Sequence, residues 1–108
     1  MAELGTINWV GESGKSYTYR IYPMNTVLNK APGNYVFAMM KSESKLRAVF
    51  IGQAEDLSDI GVSTHEMSCI MRNGGTHICV HESPYEKERI AEATDLIVNY
   101  KPNCNKLI

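Results

Sequence analysis

Four groups of residues have side chains and spacing suited to chemistry or binding. Gly11-Glu12-Ser13-Gly14-Lys15-Ser16 carries the Gly-Lys-Ser ending of a phosphate-binding loop. That loop needs another glycine five residues before Gly14, where this chain has Trp9. An alternating segment follows in place of a helix whose first amides would face a phosphate, so the hexapeptide reads as a hairpin turn. His77, Cys79 and His81 fall on one face of an extended segment, and both residue types bind zinc. The two histidines would stand about 13 Å apart along a strand, too far to share an ion easily, so a half-buried strand is the simpler reading. His65 could act as a base near neutral pH, but its place in the first turn of a helix is that of a solvated residue. Tyr17, Tyr19, Arg20, Lys41, Lys45 and Arg47 are the aromatic and basic groups best able to stack on bases and pair with phosphates. A solvated hairpin face accounts for them equally well.

The elements that must position these groups are legible from alternation and punctuation. Ile7–Val10 and Ser16–Tyr22 flank a glycine-rich turn and predict a hairpin. Tyr35–Met40 and Arg47–Ile51 predict an antiparallel pair joined by the polar turn 41–45, with Tyr35 carrying an aromatic hydroxyl on the first strand. Ala54–Ile60 predicts a short helix stopped by Gly61. Ser63 and Glu66 have the spacing of a capping box, for a helix running to about Arg72 and stopped by Gly74-Gly75. Thr76–His81 alternates as a strand. Ser83-Pro84-Tyr85-Glu86 reads as a second helix start, with the helix running to about Asn99 before Pro102 bars it. The sum is an α+β fold, a small antiparallel sheet flanked by helices, with an extra N-terminal hairpin.

A chain of 108 residues, 44% hydrophobic and 21% charged, predicts one soluble domain. The formal charge of −1 offers no general attraction to nucleic acid, but residues 1–47 hold six basic groups against three acidic, and 48–108 hold five against nine. A polyanion would therefore dock on a local face built mainly by the first half. Three cysteines without paired spacing predict unpaired thiols and a reducing, cytoplasmic setting. No signal peptide and no membrane span are expected.

Gly33-Asn34-Tyr35, then Phe50-Ile51-Gly52, then Leu96-Ile97 with Tyr100, Pro102 and Asn105 at fixed intervals resemble the GIY-YIG nuclease superfamily. The resemblance covers about residues 33–105 and is nearest a small bacterial and phage subgroup with the same Gly-Asn-Tyr opening. It implies metal-dependent phosphodiester hydrolysis with Mg2+ or Mn2+. Tyr35 stands at the first-motif tyrosine and Asn105 at the closing asparagine. Phe50 replaces the second tyrosine, Ile60 the helix arginine, and Ala93 the metal-binding glutamate. Glu92 is one position from that glutamate, a helical rotation of about 100°. With Ile90, Ala93 and Ile97 as the core-facing stripe, Glu92 should point elsewhere. Arg72 or Arg47 would have to replace the lost cation.

Three readings follow. The favoured one is a catalytically impaired GIY-YIG-like domain that binds nucleic acid or a protein partner, with Arg20, Lys41, Lys45 and Arg47 as the nucleic-acid contacts. Another is a weak DNA endonuclease using Tyr35, Glu92 as metal ligand, a relocated arginine and Asn105. The last is a protein-interaction module, because the acidic run Glu55–Asp59 suits a partner other than DNA.

Overall fold

The computed structural model describes residues 3–42 and 45–106. Five strands form one antiparallel, curled sheet: β1 (Gly5–Val10), β2 (Ser16–Pro23), β3 (Gly33–Ser42), β4 (Lys45–Ala54) and β5 (His77–Glu82). Their order across the sheet is β1-β2-β5-β3-β4, so β5 joins the N-terminal hairpin to the β3–β4 pair. The hairpin is thus an integral edge of the sheet. Tyr35 lies opposite Gly52 on adjacent strands. A Cβ on Gly52 would stand 2.5 Å from the Tyr35 hydroxyl, which is why glycine is required there.

Alternation along the strands divides the interior into two layers. One holds Tyr35, Phe37, Phe50, Leu57 and Ile70 beneath helix α1 (Thr64–Arg72). The other holds Trp9, Tyr19, Val36, Ile51 and Leu96 beneath helix α2 (Glu86–Tyr100). Helix α1 begins as expected: the Ser63 hydroxyl accepts from the Glu66 amide, and the Glu66 carboxylate accepts from the Ser63 amide.

Other local expectations are corrected. Ala54 belongs to β4, and the helix expected over Ala54–Ile60 shrinks to one 3-10 turn at Leu57–Asp59. The turn is fixed by the Asp56 carboxylate, which accepts from the Ser58 amide. Helix α2 starts two residues after Pro84, with Tyr85 as an N-cap that offers no side-chain bond. Ser83 is held instead as part of the sheet margin, donating its amide to the Pro32 carbonyl and accepting from Arg89 through its own. The expected turn residues Glu43 and Ser44 lie outside the described residues.

The cysteine expectation is also corrected. Cys69 at the end of α1 and Cys104 in the terminal 3-10 turn (Asn103–Lys106) form a disulfide, with Cα atoms 5.7 Å apart. They are 35 residues apart in sequence, so only the return of the chain over the α1 face pairs them. Cys79 is buried and free. No helix among the described residues is long and apolar enough to cross a membrane.

The glycine-rich turn has a definite role. The Asp95 carboxylate of α2 accepts from the Ser13 amide at 2.9 Å, the Ser13 hydroxyl at 2.7 Å and the Tyr17 hydroxyl at 2.8 Å. The loop that resembles a phosphate cradle therefore holds an anion from its own chain. Gly11 makes room for it, because a Cβ there would coincide with the Asp95 carboxylate. Gly11→Ala should destabilise the fold by about 1–3 kcal/mol, the usual cost of forcing an extra carbon into a filled site. Urea unfolding measures it; an unchanged midpoint would show that the hairpin does not depend on this contact.

Candidate functional site

The residues singled out from sequence divide between the two sheet faces. Tyr35 is 6% exposed and lies in the α1-face layer, stacked on Phe50 at 6.2 Å and edge-on to Phe37 at 5.7 Å. Burial pushes its hydroxyl up to about 12, with the Glu66 charge adding to the effect. Ile60 packs against the same layer. Asn105 is close in space but engaged: its side-chain amide donates to the Ile51 carbonyl and accepts from the Ile51 amide, each at 2.8 Å. In this way it continues the ladder on the outer edge of β4, as a neighbouring strand would.

Glu92 and Ala93 belong to the opposite layer. Of the expected stripe, Ala93 is buried and Ile97 packs on the same layer, but Ile90 is corrected: it is 49% exposed, and Arg89, Glu92 and Leu96 are the buried neighbours. The Glu92 carboxylate accepts from the Tyr19 hydroxyl at 2.5 Å and meets His81 Nδ1 at 3.0 Å. Burial drives the Tyr19 hydroxyl strongly upward, and Glu92 adds to it, so Tyr19 stays a donor. Bonding to Glu92 raises the His81 pKa against the opposing effect of burial. Residue types alone did not mark His81 and Tyr19 as Glu92's partners; the β2–β5 register, unreadable from local sequence, brings them together.

Three further ties join α2 to its surroundings at Arg89. Arg89 donates from Nε to Gln53 and from a terminal nitrogen to the Ser83 carbonyl, while its own carbonyl accepts from buried Asn34. Residues 89, 92 and 95 recur every third position and so share one side of the helix. That side carries charge where an amphipathic reading expects apolar groups.

His65 and Arg72 are exposed on α1. His77 pairs with its neighbour Thr76 at 2.7 Å, and Cys79 is buried in the α2 layer. Among the described residues no group of three His, Cys, Asp or Glu side chains is placed to hold a metal.

The basic residues converge more closely. Lys41, Lys45 and Arg47 line one groove of about 630 Å3, joined by Lys101 at the end of α2. Arg20 lies elsewhere, 3.6 Å from Glu82. No acidic side chain lines the groove among the described residues. Its floor includes Trp9, Leu46 and Ala48. No protein-family model matches the chain, and neither does any curated protein or solved structure at a significant level.

The His81–Glu92 contact makes stability pH-dependent. A histidine whose folded pKa is raised adds stability in full below its unfolded value near 6.5, and that stability is lost as pH rises through the folded value. The margin of the natural chain over His81→Gln should therefore shrink as pH rises from about 6 to 8. Urea midpoints of both proteins across that range provide the measurement. A margin that is constant or grows with pH would rule out an ion pair here.

Proposed function

We propose that this chain is a GIY-YIG-like domain that binds a partner, nucleic acid or protein, and does not cleave phosphodiesters. One observation carries the reading: Tyr35 and Glu92, the groups the resemblance would unite, lie on opposite faces of the sheet. Hydrolysis needs an activated nucleophile, a metal on the phosphoryl oxygen and a cation for developing charge, all within one site. Around Tyr35 the neighbours are Phe37, Phe50 and Ile60, and the hydroxyl's raised pKa keeps its proton in place at neutral pH. Glu92 is committed to Tyr19 and His81, and Asn105 to the β4 backbone. The residues present therefore do not fit the Mg2+ or Mn2+ that the resemblance implies.

Binding is supported by the groove, where three of the four cations expected to meet a partner stand together. A folded, basic groove is a surface for an anionic partner, whatever its backbone.

Supercoiled plasmid incubated with Mg2+ or Mn2+ tests the reading, with Tyr35→Phe as control. The natural protein should nick no faster than the variant. Robust nicking by the natural protein that disappears in Tyr35→Phe would overturn it.

A further inference from the structure

We infer that the basic groove takes an extended peptide in which acidic side chains alternate with aliphatic ones, added as a strand to the open edge of β4. The inference rests on the binding reading above and names the partner. The curled sheet leaves backbone unpaired at its two ends. Strands β1 and β4 are the two ends of the sheet, and both line the groove, β1 through Ile7–Trp9 and β4 through Leu46–Ala48. A second hollow of about 280 Å3 runs on between the same strands, from Leu4–Ile7 to Lys45 and Leu46.

The direction of the edge groups follows from register. Ala38 accepts from the Thr76 amide through its carbonyl, on the side away from β4. Its partner across the ladder, Ala48, therefore turns its own amide and carbonyl away from β3. Met40 also turns toward Thr76, so its partner Leu46 points outward too. On β1, the Val10 amide donates to the Tyr100 hydroxyl at 2.9 Å, and the Val10 carbonyl accepts from Asn99 at 2.7 Å. By the two-residue period Asn8 and Thr6 face outward as well. The fold thus satisfies the far ends of both edges with side chains, Asn105 on Ile51 and Asn99 with Tyr100 on Val10. Between those ends the outward groups of β4 have no partner among the described hydrogen bonds, and there the groove lies.

Charge and shape select the occupant. Exposed lysines along an edge repel a second copy of the same edge, which opposes self-pairing. The same cations attract acidic side chains, and the Trp9, Leu46 and Ala48 floor receives the aliphatic ones that alternate with them. Nucleic acid is less well suited. Of the groove's two aromatic rings, Trp9 is only 4% exposed and Tyr100 is held edge-on to it at 5.3 Å with its hydroxyl bound to Val10, so little ring surface is offered to bases. Lys101 adds a local sign of function. It ends α2 in the left-handed region at φ 46, where glycine is the usual choice, and so keeps a cation on the groove wall at a backbone cost.

The test uses the full chain and a labelled Glu-Val-Glu-Val-Glu-Val-Glu peptide, followed by fluorescence anisotropy. The natural protein should bind it, and Lys45→Glu with Arg47→Glu should weaken binding about tenfold or more, with circular dichroism confirming the fold. The same peptide N-methylated at every residue keeps every charge but has no backbone amide to donate to β4, and should bind about tenfold more weakly. Equal binding of the methylated peptide would overturn strand addition. Binding of a single-stranded oligonucleotide without binding of the peptide would overturn the choice of partner. Plasmid nicking is scored separately, so a failed peptide experiment leaves the absence of cleavage standing, and observed cleavage leaves the peptide result standing.

Discussion

Helix α2 is held to the sheet by charge as well as by oil, and the rest of the structure depends on that. Arg89, Glu92 and Asp95 stand on one side of the helix at three-residue intervals, and each reaches a different part of the fold. Arg89 secures the β4 end and the approach to the helix, Glu92 joins β2 and β5, and Asp95 fixes the tip of the N-terminal hairpin. A buried carboxylate or guanidinium is costly unless its bonds are all made. These separate bonds therefore favour one seating of the helix on the sheet, where an apolar stripe alone would tolerate rotation. The same network takes the carboxylate that a metal site would need.

The sheet's curl raises a second constraint, the fate of its edges. Unpaired strand edges invite uncontrolled pairing, and this fold covers them in part with side chains that imitate a strand. Asn105 bonds both the amide and the carbonyl of Ile51, and its segment is held on the α1 face by the Cys69–Cys104 disulfide. Asn73 links the pieces, donating to the Cys69 carbonyl and accepting from Asn103. The closing asparagine is thus accounted for by architecture. The exposed cations of the uncovered stretch oppose pairing with a like edge, and the same electrostatic property underlies the proposed attraction of an acidic strand.

Much was legible locally. The hairpin, the β3–β4 pair, the capped helix α1 and strand β5 all follow from period-two alternation, glycine punctuation and the Ser63–Glu66 box, which act over a few residues. Lys41, Lys45 and Arg47 were legible as a basic set because they cluster on one hairpin. The second helix start misled because Ser83-Pro84-Tyr85-Glu86 carries the right residues for a cap, while Pro32 and Arg89 claim Ser83's backbone from across the fold. The short helix expected before Gly61 failed for a similar reason, with β4 extending through Ala54 to complete its pairing with Gly33.

What the sequence determined by itself was therefore the kinds of element and their order, since backbone periodicity and capping are short-range. Tertiary structure alone decided which side chains meet. Tyr35 and Val36 are adjacent in the chain yet face different helices, because strand side chains alternate. Glu92 met Tyr19 and His81 only because β2 pairs with β5, and Cys69 met Cys104 only because the chain returns over α1. Those encounters are fixed by register and by the choice of sheet face, quantities set by packing between distant segments and carried by no local pattern of residues.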